Sequence, residues 1–120
     1  MNYLGYLEAE AGINLDEAKM LIERAVAQDP DNGAYIDSLG WVCYKLGRLD
    51  EALMYLERAA HLVPTDPTVF SHLAEVYWHR HNVAQARANW ERALELDPSQ
   101  PAVQEQLKHL MDHEVDALSP

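Results

Sequence analysis

The sequence predicts an all-α solenoid of antiparallel helix pairs, and three observations carry that prediction. First, the chain is self-similar at a period of 34. Ala18, Ala52 and Ala86 stand 34 apart (52 − 18, 86 − 52), and so do Glu23, Glu57 and Glu91, then Ala25, Ala59 and Ala93, then Pro30, Pro64 and Pro98. Internal repeats of roughly 20 to 50 residues mark solenoids and arrays. Second, apolar residues inside each period recur at helical spacing. Third, glycine, asparagine and proline fall where each helix has to stop.

Residues 1–32 read as a partial first repeat. Leu4-Gly5 matches Leu39-Gly40 and Leu73-Ala74, but the first interval is 35 (39 − 4), which puts one extra residue near Gly12-Ile13. The second helix of this repeat is expected to start at Asn14, with Glu17 completing a capping box. Leu15, Ala18, Ile22, Ala25 and Val26 then share one face, and Asp29-Pro30 ends the helix, because proline cannot continue a helical interior. With no neighbour before it, the leading helix would leave Met1, Leu4 and Leu7 under-covered. Repeat arrays are held by nearest-neighbour interfaces, so this open end is expected to fray first or to be covered by self-association with another copy.

The second repeat, 33–66, carries Ile36, Leu39, Gly40, Cys43 and Leu46 on its first helix and Leu49, Ala52, Leu53, Leu56, Ala59 and Ala60 on its second. Gly47 supplies the positive φ of a helix C-terminus. Gly40, Ala52 and Ala59 are small enough to let the two helices approach. Asp66-Pro67 offers an N-cap followed by proline at the first helical position. The third repeat, 67–100, uses Phe70, Leu73, Ala74 and Tyr77, then Ala86, Trp90, Ala93 and Leu94. His81-Asn82 replaces Gly47-Arg48 at its turn, where Asn82 is expected to tolerate the left-handed region and to cap the next helix with Gln85. Residues 101–113 form a capping helix, with Val103, Leu107, Leu110 and Met111 inward and Gln104, Glu105, Lys108, His109 and Asp112 outward. Residues 114–120 read as a flexible tail.

These residues resemble a tetratricopeptide repeat (TPR), whose pattern is W-x2-L-G-x2-Y, then A-x3-F, then P. The second repeat gives Ile36-x2-Leu39-Gly40-x2-Cys43, Ala52-x3-Leu56 and Pro64. The third gives Phe70-x2-Leu73-Ala74-x2-Tyr77, Ala86-x3-Trp90 and Pro98. Glu8 and Cys43 at tyrosine positions and His81 at the turn glycine depart from the pattern. NYLGY and DSLGW also look like the C-terminal repeats of longer bacterial TPR proteins, some of them lipoproteins. The resemblance implies a right-handed superhelix whose concave wall is lined by the first helix of each pair, with peptides or helices of partner proteins lying in that groove.

Carrying the family's groove positions over gives Asn2, Tyr6 and Ala9, then Asp37, Trp41, Tyr44 and Lys45, then Ser71, Glu75, Trp78 and His79. Tyrosine and tryptophan are enriched at binding hot spots, although Trp41 and Tyr44 could instead pack against the neighbouring repeat. The groove lacks the Lys/Asn/Arg set with which family members clamp a C-terminal carboxylate. Asp37 and Glu75 stand in its place, so a partner segment with apolar and basic side chains is favoured. The competing function is a purely structural spacer in a longer TPR scaffold.

Other classes find little support. The net charge is −11, from 9 Lys plus Arg against 20 Asp plus Glu, so no basic face for nucleic acid can be assembled. No apolar run approaches the roughly 18 residues of a membrane span. No basic stretch leading into an apolar run opens the chain, so no signal peptide is expected. The compartment is left open between cytoplasm and, for a lipoprotein parent, periplasm. Cys43, the one cysteine, sits in the packing stripe, where a small buried hydrophobe is expected rather than a nucleophile. His109 and His113 are four apart on one helix face, but no third ligand completes a metal site. No catalytic constellation, metal or cofactor is expected.

Overall fold

A computed structural model describes residues 14–118, with side chains through Asp112. Among the described residues the regular structure is six helices: α1 (Leu15–Gln28), α2 (Gly33–Lys45), α3 (Leu49–Leu62), α4 (Pro67–His79), α5 (Val83–Leu96) and α6 (Pro101–Leu118). The period survives in three dimensions. α1, α3 and α5 start 34 residues apart (49 − 15, 83 − 49), and so do α2, α4 and α6 (67 − 33, 101 − 67). The chain divides into two compact units, Met1–Pro64 and Thr65–Pro120.

In the first unit, α2 packs on α3 and α1 packs on α2. Ala18, Ile22, Ile36, Val42, Cys43, Ala52, Leu56 and Ala59 are fully buried. The small residues are required there. A Cβ at Gly40 would lie 2.7 Å from Leu56 Cγ and 3.2 Å from the Ala52 carbonyl oxygen, closer than packed atoms allow. Gly33 is similarly confined, with Val63 Cγ1 2.8 Å from where its Cβ would be. Arg58 on α3 donates to the Pro30 carbonyl oxygen at 2.9 Å, pinning the α1–α2 turn.

The second unit repeats the plan. Ala74, Ala86, Trp90, Ala93, Val103 and Leu110 form its buried core, with Phe70, Tyr77, Leu94 and Leu107 packed around them. Trp90 occupies the register of Leu56, and Ala74 that of Gly40 (90 − 56 = 34, 74 − 40 = 34). Gln100 ties the unit's three helices together. Its Nε2 donates to the Ala93 carbonyl oxygen at 3.0 Å, and its Oε1 accepts from Ser71 Oγ at 3.3 Å.

The caps separate what the local sequence dictates from what context alters. Gly47 takes φ +80 at the α2–α3 turn, as its lack of a Cβ permits. Asp66 accepts from the Thr68 amide at 3.0 Å, ahead of Pro67. Asn32 caps α2 by accepting from the Tyr35 amide at 3.1 Å.

Three expectations need correction. Asn14 does not form a capping box: its φ of 52 and ψ of 49 are left-handed and its side chain makes no cap hydrogen bond, whereas an N-cap needs extended backbone. At the α4–α5 turn the left-handed residue is His81, φ 63. Asn82 stays at negative φ and caps α5 by accepting from the Gln85 amide at 3.3 Å. Finally, α6 does not end near His113. Its backbone stays helical to Leu118, because no proline or glycine interrupts the chain before Pro120. The extra residue near Gly12-Ile13 and the open edge at Met1, Leu4 and Leu7 lie outside the described residues.

Candidate partner-binding faces

Each unit carries its own set of the groove positions. On α2, Asp37, Trp41 and Tyr44 step by four and three and so lie along one face. Asp37 is 6% exposed, so it lies under this surface rather than on it. Trp41 and Tyr44 are half-buried and stacked, with ring centroids 4.6 Å apart and planes 27° apart. The exposed Lys45 places its Nζ 5.2 Å from the Trp41 ring centre and 6.0 Å from that of Tyr44. This is cation–π distance, and all three residues come from a single helical turn. The rings are therefore partly covered by each other and by the lysine.

On α4, Ser71 is half-buried and its hydroxyl is engaged by Gln100. Glu75 is half-buried and His79 exposed; His79 Nδ1 lies 3.1 Å from the Glu75 carbonyl oxygen and 3.9 Å from its Oε1. Trp78 is half-buried and plays two parts. One side packs against Trp90, with centroids 6.1 Å apart and planes tilted by 47°. It also lines two clefts. The smaller, about 300 Å³, is shared with His79, His81 and Val83. The larger, about 650 Å³, is walled by α6 through Glu105, Lys108, His109 and Asp112.

Met111, expected inward, is 45% exposed. Glu105, His109 and Asp112 are exposed, as their outward assignment expects, and they also line the larger cleft. A signal for it was available in the period. Adding 34 to Ser71, Glu75 and Trp78 gives Glu105, His109 and Asp112. The capping helix thus continues the groove register, and the stripe treated as plain solvated surface faces the same cleft as Trp78. Asn2, Tyr6 and Ala9 lie outside the described residues.

Cys43 is fully buried, and burial pushes its thiol up to about 11. Its Sγ sits 3.7 Å from Glu51 Oε2. A neutral thiol in this setting has no nucleophilic role. Among the described residues no three His, Cys, Asp or Glu side chains converge as metal ligands. No helix among them is long and apolar enough to cross a membrane.

Helix pairs repeating at 34, with half-buried aromatics on α2 and α4, define a helical repeat module. Two tetratricopeptide-repeat family models match the chain, over residues 4–67 and 44–110, and the chain belongs to this family. A TPR repeat-containing protein of Pseudomonas aeruginosa is 41% identical over 49 residues, which is 41% of this chain and 8% of that protein. The chain therefore spans under a tenth of that relative's length. Among solved structures, the first TPR of Spaghetti (RPAP3) bound to an HSP90 peptide has a TM-score of 0.86 at 18% identity, covering 95% of this chain and 90% of the other. PcrH in complex with the chaperone-binding region of PopD gives 0.81 at 22% identity, with 93% and 89% covered. The Yersinia enterocolitica type III secretion chaperone SycD with a peptide of the translocator YopD gives 0.81 at 18%, with 94% and 91% covered. At such identities these likenesses establish the shared fold.

Proposed function

We propose that this chain is a non-enzymatic protein-interaction module that binds a peptide or helical segment of another protein. The concave groove is what the family resemblance implies, and each unit offers its own face to such a segment: that of α2 in the first, those of α4 and α6 in the second. The observation that carries this reading is the state of the aromatics: Trp41, Tyr44 and Trp78 are each half-buried rather than enclosed. A pure spacer would have every reason to bury them, since a buried aromatic contributes 150–250 Å² of contact. Three relatives of the same fold are described with bound partner peptides or regions, which supports the class of function.

The partner segment is apolar and basic in character. Its apolar residues meet the aromatic rings, and its basic residues meet a chain of net charge −11. Asp37, being buried, shapes that preference less than Glu75 does. Calorimetric titration of the partner segment against Trp41→Ala and Trp78→Ala, beside thermal melts of the same variants, tests the reading. The expected result is a loss of about 2 kcal/mol or more in binding at either site. Full affinity in both variants, or a loss explained wholly by unfolding, favours the spacer.

A further inference from the structure

The 650 Å³ cleft between α4 and α6 has a chemistry that the groove positions on α2 and α4 do not have. Trp78 presents an indole on one side. Glu105, His109 and Asp112 line the other, and Glu105 and Asp112 are seven residues apart, about 10.5 Å along a helix. Both carboxylates are exposed, and neither makes an ion pair with the described residues. Lys108 lines the same cleft, three residues after Glu105 and four before Asp112, and is paired with neither. The cleft therefore brings the Trp78 side chain and two exposed carboxylates to one space, with the Lys108 ammonium beside them.

We infer that this cleft is the socket for an arginine side chain of the bound segment. The guanidinium stacks on Trp78 and donates to Glu105 or Asp112. The inference rests on the partner-binding reading above and deepens it by fixing which end of the surface takes the cation. Arginine is preferred to lysine because a planar, weakly hydrated guanidinium stacks on an indole and forks onto a carboxylate. Cation–π attraction is strongest over tryptophan, within about 6 Å of the ring centre. The cleft has ample room for the side chain and part of its flanking backbone.

The test uses the full chain, isotopically labelled, and short leucine- and alanine-containing peptides that differ only at one central residue: arginine, its neutral isostere citrulline, or glutamate. Amide and indole shifts are followed to millimolar peptide. The expected result is that the arginine peptide moves the Trp78 indole and the Glu105 and Asp112 amides. It should bind about tenfold more tightly than the citrulline peptide, the factor that one well-placed charged contact supplies. The double variant Glu105→Gln, Asp112→Asn should erase that difference. The double variant Asp16→Asn, Glu17→Gln, which changes net charge equally on α1, should preserve it. Equal loss in both double variants would overturn the socket in favour of bulk charge. Shifts confined to Trp41, Tyr44 and Glu75 would overturn the socket but leave the groove reading standing. No shift at any of these positions with any peptide would overturn both.

Discussion

At the residue scale, the two turns between paired helices solve one backbone problem with different side chains. Gly47 adopts φ +80 and His81 adopts φ 63. A left-handed conformation costs roughly 1–2 kcal/mol for a residue with a Cβ and nothing comparable for glycine. His81→Gly should therefore raise stability by up to about 1 kcal/mol, and Gly47→Ala should lower it by about as much; chemical denaturation midpoints measure both. No atom lies within 4 Å of a Cβ built at Gly47, so the second change reports backbone strain without steric overlap. Cys43 supplies a second test at this scale. Burial raises its thiol to about 11, so the folded chain keeps a proton that the unfolded chain gives up at lower pH. The resulting stability is fully present below the ordinary thiol range and is lost as pH rises through about 11. A Cys43→Ala variant should show a flatter stability profile across that alkaline window. In the native chain at neutral pH, the thiol should react with an alkylating reagent only at the rate of opening.

At the scale of the element, packing of the two helices within a repeat depends on how small residues face large ones. Gly40 faces Leu56 in one unit, while Ala74 and Trp90 hold the matching positions in the other. Gly40→Ala would push a methyl against the branch carbon of a fully buried leucine, which cannot swing away. A loss of roughly 1–3 kcal/mol is expected in thermal melts. Ala52→Leu and Ala59→Leu should fall in the same range, since both alanines are fully buried. The two groove tryptophans should separate at this scale. Trp41 is half-buried and stacks on Tyr44 of its own helix, so Trp41→Ala should cost at least the roughly 0.5–1.5 kcal/mol of an aromatic pair. Trp78 packs on the core residue Trp90, so Trp78→Ala should cost more, up to the roughly 3–5 kcal/mol of a core truncation. The helices were legible in the sequence because period, apolar spacing and stop signals all pointed to the same boundaries. The capping at Asn14 was not, because it turned on backbone geometry that residue preference does not fix. The end of α6 was open to reading, since no proline or glycine stands before Pro120. The place of Glu105, His109 and Asp112 beside the cleft was legible in principle, through the 34-residue register, but a polar helix face looks the same in sequence whether it meets open solvent or a cleft.

At the scale of the whole molecule, the claim is that function resides on the first helices of the repeats and not on the second. The two sets of faces differ in degree. α2 and α4 carry the half-buried Trp41, Tyr44 and Trp78 at groove positions, while α1 and α3 together carry the half-buried Tyr55 and the exposed Met20 and Met54. Scattered exposed apolar residues are normal on any surface, whereas clustered aromatics are the usual anchors of interfaces. The measurement that tests this most directly is site-specific photo-crosslinking of the protein in its own cells. The probe is placed at the exposed positions Lys45 and His79, or at Met20 and Met54. The account predicts that one and the same protein is captured from positions 45 and 79, and not from 20 or 54. Capture from 20 and 54 alone, or of unrelated proteins from 45 and 79, would contradict it.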